Sequence, residues 1–137
     1  MMDVLIVEND PIVTKMWSKK LTAQYEVRIA ESVDKAKKEI SDKMPSLVLL
    51  DLRLNGPSNS GLTVYDFIRK ELNNNIPIIF ITGLAYNVEL FQRAQSMTKV
   101  DTSNGIGTYL MEKPVRINDL FDAVCLAEQT HVSVVNE

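Results

Sequence analysis

The chain has 137 residues, 45% of them hydrophobic and 24% charged, which is enough for one domain with one real core and leaves no room for a second. A formal net charge of -3 and a pI near 5.2 give no basic footprint for a polyanion, so nucleic acid is not an expected partner. The single cysteine, Cys125, excludes an internal disulfide and a cysteine-built zinc site. With no basic signal region at the start and no apolar run near the roughly 20 residues of a membrane span, the chain reads as soluble, unsecreted and cytoplasmic.

In chain order, Val4-Leu5-Ile6-Val7 comes first, a short continuous apolar run of the kind that parallel strands show when both faces are covered. It ends in Glu8, Asn9 and Asp10. Asp10 suits the N-cap of a helix with Pro11 at its first position, and Ile12, Val13, Met16, Trp17 and Leu21 follow helical spacing along one face. From Tyr25 to Ala30 the pattern alternates, with Tyr25, Val27 and Ile29 on one side, which predicts a strand near a sheet edge. Ser32 caps a helix over Val33 to Lys43. Leu47 to Leu50 is a second buried strand, closed by Asp51, and a helix spans Leu62 to Leu72. Ile76 to Ile81 is a third buried strand, closed by Thr82, with a helix from about Asn87 to Gln95 after it. Thr108 to Met111 is a short edge strand followed by Lys113-Pro114. Asn118 caps a fifth helix, in which Leu120, Phe121, Val124 and Cys125 share a face. Residues 128–137, which hold the only histidine, His131, read as a fraying tail with no role for that side chain.

Strand and helix alternate throughout, so the fold class is α/β with parallel βαβ units and right-handed crossovers. In such sheets the ligand site lies outside the carboxyl ends of the strands. Glu8, Asn9 and Asp10 follow the first strand, Asp51 the third, Thr82 the fourth and Lys113 the fifth, so acids, a hydroxyl and an ammonium are expected to meet in one crevice.

Four stretches in order, "LIVENDP", "LVLLDLRLNG", "IPIIFITG" and "YLMEKPV", make the chain similar to the receiver domains of two-component response regulators, from about Val4 to Leu126. The resemblance implies a flavodoxin-like three-layer αβα sandwich, with five helices around a five-stranded parallel sheet in the order 2-1-3-4-5. It makes residues 1–127 the receiver domain. It also implies that Asp51 accepts a phosphoryl group from a phosphohistidine on a sensor histidine kinase or phosphotransfer protein. Glu8, Asn9, Asp51 and the backbone carbonyl of Arg53 match the positions that bind magnesium. Lys113 matches the lysine that pairs with phosphoryl oxygens, Thr82 the hydroxyl that moves toward them, and the Lys113-Pro114 bond is expected to be cis. The output partner, of unknown identity, is expected on the face of the fourth helix, fifth strand and fifth helix.

Departures from the family pattern sharpen the expectations. Asn9 stands where the family usually has a second acid; its amide can ligate magnesium but adds no charge, so weaker metal binding is expected. Leu110 stands at the aromatic switch position, with Tyr109 beside it. Arg53 and Leu84 occupy the positions that tune access of water to an acyl phosphate. The loop 55–61 is enlarged, and the long interval between Thr82 and Lys113 places an insertion at residues 95–107, expected as a surface loop. The rival readings are three. A haloacid-dehalogenase-type phosphatase needs an acid where Arg53 stands. A flavodoxin-like cofactor protein needs a phosphate-cradling loop where Glu8 and Asp10 would repel the ligand. A degenerate receiver acting as a phosphorylation-independent binding module fits Asn9 and Leu110 but leaves Asp51, Thr82 and Lys113 unexplained.

Overall fold

The computed structural model describes residues 2–54, 61–83 and 88–136, with side chains through residue 130. Its elements alternate as β1 (Asp3–Val7), α1 (Pro11–Leu21), β2 (Glu26–Ala30), α2 (Val33–Asp42), β3 (Leu47–Asp51), α3 (Gly61–Asp66, continued by a π-helical stretch, Phe67–Glu71), β4 (Ile78–Thr82), α4 (Val88–Ser103), β5 (Thr108–Glu112) and α5 (Ile117–Asn136). All five strands are parallel, in the order β2-β1-β3-β4-β5.

The apolar runs explain this order. β1, β3 and β4 are buried at every position and occupy the middle of the sheet, whereas β2 and β5 carry half-exposed residues and form its edges. Alternate side chains of the central strands feed two separate cores. Leu5, Val7, Val48, Leu50, Ile78 and Phe80 pack under α2, α3 and α4. Val4, Ile6, Leu47, Leu49, Ile79 and Ile81 pack under α1 and α5. This is the expected three-layer sandwich. Among the described residues no helix is long and apolar enough to cross a membrane.

Local signals place the helix starts. The Asp10 carboxylate accepts from the Ile12 amide at 2.9 Å and the Ser32 hydroxyl from the Lys35 amide at 3.2 Å, each satisfying a donor that the first helical turn leaves unpaired. Asn118 does not cap α5. That helix begins at Ile117, and the Leu120 amide donates to the Arg116 carbonyl, which puts Asn118 inside the first turn.

Two helical faces differ from the periodic reading. In α1 the buried stripe is Thr14, Trp17 and Leu21, while Ile12 is 77% exposed and Met16 49% exposed. Thr14 can be buried because its hydroxyl donates to the Pro11 carbonyl at 3.2 Å and is not left unpaired. In α4 the segment expected as an inserted loop is largely helix. The helix continues to Ser103 and closes in a turn where Gly105 takes a φ of 74°, a conformation that suits glycine. The long interval between Thr82 and Lys113 is therefore added helical turns.

α5 likewise runs through residues 128–136, the segment set apart as a tail. Residues 55–60 of the enlarged loop, Leu84 and the His131 side chain lie outside the described residues.

Candidate functional site

The parallel register brings the carboxyl ends of β1, β3, β4 and β5 to one rim, and each chemically distinctive residue follows directly from a strand end. Glu8 and Asp51 are almost wholly buried there, at 1% and 3% exposure. Such a pair of carboxylates would repel without a cation between them. Lys113 supplies it, its Nζ lying 3.1 Å from Glu8 Oε1 and 3.2 Å from Asp51 Oδ2. The Lys113 amide donates to the Thr82 carbonyl at 2.8 Å, and the Lys113-Pro114 bond is cis, as the resemblance implies. The hydrogen bond to the Thr82 carbonyl sets where the long side chain leaves the sheet.

The remaining carboxylate oxygens are held by backbone. Asp51 Oδ1 accepts from the Arg53 amide and Glu8 Oε2 from the Asn9 amide, both at 3.1 Å. A further constraint comes from Gly61, at the start of α3. A Cβ there would sit 2.2 Å from the Asp51 carbonyl oxygen, and the Gly61 amide donates to the Leu52 carbonyl at 2.8 Å. Only a residue without a side chain lets α3 approach Asp51 this closely.

One ammonium does not balance two buried acids. Burial, and after it the neighbouring Asp51, push the Glu8 carboxyl from the ordinary 4.5 up to about 8, with Lys113 opposing the rise. For Lys113, burial alone would lower the ammonium, but Asp51 and Glu8 together hold it above the usual lysine range. The site is short of positive charge.

Glu8, Asn9, Asp10, Asp51, Arg53 and Lys113 line the polar side of a cleft of about 670 Å³. The cleft is also lined by the apolar Val13, Met16, Trp17, Pro114 and Val115; of these the strand-end reasoning supplied Pro114, and Val13, Met16 and Trp17 stood in the α1 periodicity. Thr82 is buried at the end of β4 and is not among the residues lining the cleft. Among the described residues no three histidine, cysteine, aspartate or glutamate side chains converge as a metal-binding group. Glu8, Asp51 and Asn9 line the same cleft and offer two carboxylates and an amide as donors. Together with the charge deficit at Glu8, this donor set fits a small hard divalent cation that keeps several water ligands.

Leu110 and Tyr109 project to opposite sides of β5. Leu110 packs with the core under α4, Tyr109 with the core under α5, so Tyr109 does not stand in for an aromatic residue on the α4 side.

Comparison with known proteins agrees with this geometry. The sequence model of the response regulator receiver domain matches residues 4–125. The nitrogen assimilation regulatory protein NtrX of Azorhizobium caulinodans is 33% identical over 82 residues, which make up 59% of this chain and 18% of that protein. The chain thus spans about a fifth of the length of that curated relative. The crystal structure of the receiver domain of NtrX from Brucella abortus superposes with a TM-score of 0.73 at 27% identity, covering 93% of this chain and 99% of that one. A crystal structure of NtrX from the same organism gives 0.77 at 28% identity, covering 94% of this chain and 28% of that one.

Proposed function

We propose a phosphoacceptor role for this chain, which belongs to the response regulator receiver domain family and so to two-component signalling. The observation that carries the reading is the bridging of Glu8 and Asp51 by Lys113 at the carboxyl edge of the sheet. It joins a candidate nucleophile, an acid for a metal and a cation for phosphoryl oxygens.

In the proposed reaction an Asp51 carboxylate oxygen forms a bond to the phosphorus of a phosphohistidine on a sensor kinase or phosphotransfer protein. The phosphorus to nitrogen bond breaks, and the imidazole leaves with its electron pair and takes up a proton. Lys113 turns from its two carboxylates to an oxygen of the transferred group, and the Thr82 hydroxyl hydrogen-bonds another. Glu8, Asn9, Asp51 and the backbone carbonyl of Arg53 would hold magnesium, which when bound offsets the charge of the phosphoryl oxygens. The aspartyl phosphate carries about -1.5 to -2 charges where the Asp51 carboxylate carried one, a net gain of about one negative charge or slightly less.

Ile12 and Met16 are exposed on α1, the helix whose Val13, Met16 and Trp17 line the cleft, and suit contact with the protein that brings the phosphohistidine. The output partner is assigned to α4, β5 and α5, where Gln92, Gln95, Ser96, Thr98, Lys99 and Leu110 line a shallow groove of about 580 Å³.

The test is incubation with acetyl phosphate and a magnesium titration, read by intact mass. The reading expects one phosphoryl addition that requires magnesium and is lost in Asp51→Asn. A folded protein that gains no mass at any magnesium level, and none from a phosphorylated kinase, would transfer the assignment to the phosphorylation-independent binding module that Asn9 and Leu110 favour.

A further inference from the structure

The turns that lengthen α4 have little apolar surface to hold them. The helix buries Phe91, Ala94 and Asp101, with Leu90 and Met97 partly covered, while Val100 is 60% exposed. The last buried position of the stripe is thus a carboxylate, where an amphipathic helix ordinarily carries an apolar residue.

Asp101 is 8% exposed, and its Oδ2 accepts from the Tyr65 hydroxyl and, at 2.7 Å, from the Thr108 hydroxyl. The Arg69 Nε lies 3.6 Å away. Arg69 in turn donates to the Asn74 and Ile76 carbonyls at 3.0 and 2.7 Å and to the Thr108 hydroxyl at 2.8 Å. The Asp101 backbone carbonyl accepts from the Asn104 and Ile106 amides, closing the end of the helix. The Asp101 side chain therefore ties the last turn of α4 to α3, to its π-helical stretch and to the first residue of β5, and through Arg69 to the segment before β4.

The cluster sits at the amino ends of β4 and β5, the opposite edge of the sheet from Asp51, Thr82 and Lys113. A buried, multiply bonded carboxylate is costly to displace, because its partners lose their bonds in the same dry surroundings. The other end of α4 follows Thr82, the residue expected to move toward a phosphoryl group.

We infer that Asp101 is an anchor that fixes the carboxyl-terminal end of α4. Any response to phosphorylation is then a pivot about that end, confined to the turns nearest Thr82. The pivot rests on the phosphoacceptor reading; the anchor does not.

Hydrogen exchange on the full chain tests both. Without any phosphodonor, Asp101→Asn raises exchange of the amides in 98–106 by about tenfold while β3 stays protected, since an opening that no longer breaks the cluster is easier. Tyr65→Phe removes a single hydroxyl and leaves the ring on Phe80, 5.4 Å between centroids, so it shifts the same amides in the same direction should the first variant not fold. Unchanged protection of 98–106 in a folded variant overturns the anchor. With acetyl phosphate and magnesium, intact mass first reports phosphorylation. In the phosphorylated wild type, exchange changes in 88–94 and not in 98–106, whereas equal change along the helix overturns the pivot. A failure of the mass shift counts against the phosphoacceptor reading alone, because the anchor has by then been decided without donor.

Discussion

Glu8 shows what the site requires. Its carboxyl is raised from 4.5 to about 8 by burial and by Asp51, so the folded metal-free chain holds a proton that the unfolded chain releases. The stabilisation from that proton is complete below the unfolded value and is lost as pH rises through the folded one. Metal-free stability is therefore expected to fall between pH 4.5 and about 8, measured by urea denaturation in chelator at several pH values. Asp51→Asn removes one of the opposed acids and should raise stability by about 1–2 kcal/mol at pH 8 while ending phosphorylation, a conflict between stability and function of a familiar kind. Asn9→Asp adds a charge beside Glu8 and Asp51 and should tighten magnesium binding by about tenfold. The single tryptophan, Trp17, lines the same cleft and gives a fluorescence readout for that titration. The meeting of Glu8, Asp51 and Lys113 was legible because each stands at or just after the carboxyl end of a strand, and a parallel sheet brings such positions to one rim. The near-complete burial of Thr82 was not, since it depends on side-chain packing rather than on strand order.

At the scale of elements, α1 shows how far periodicity reaches. Five apolar residues at helical spacing predict one buried face, but the sheet and α5 cover only part of that arc, and Thr14 takes an inward place by bonding its own backbone. Ile12 and Met16 are left at the surface near the cleft. Ile12→Asp is expected to slow transfer from a phosphorylated kinase by about tenfold, the scale of one lost apolar contact, with labelling by acetyl phosphate unchanged. Equal rates with both donors would remove α1 from the docking surface. α3 is constrained at its first residue. Gly61→Ala puts a methyl against the Asp51 carbonyl and should destabilise the chain by about 1–3 kcal/mol and slow phosphorylation, read by denaturation and by the time course of the mass shift. The extension of α4 escaped the sequence reading because its inward anchor is Asp101, a residue that hydropathy assigns to solvent.

For the whole molecule, strand order and layer structure were accessible early. Three continuous apolar runs define the centre of the sheet, two alternating or short ones its edges, and the family motifs supply the order. The two cores follow from the alternation of side chains along β1, β3 and β4. The doubly wound sheet separates two tasks. Its carboxyl edge collects the reactive groups under a charge deficit, and its amino edge holds the Asp101 cluster that stiffens α4 and β5. A signal generated at the first edge would act on an element restrained at the second, which concentrates movement close to Thr82.

The most direct test of the account is to locate the phosphoryl group. After treatment with acetyl phosphate and magnesium, the chain is reduced with borohydride, which converts an aspartyl phosphate to homoserine, and peptides are mapped by mass. The account predicts homoserine at position 51 alone, dependent on magnesium. Conversion at another aspartate, or none in protein shown to be folded and exposed to a phosphorylated kinase, would contradict the assignment of Asp51 as phosphoacceptor.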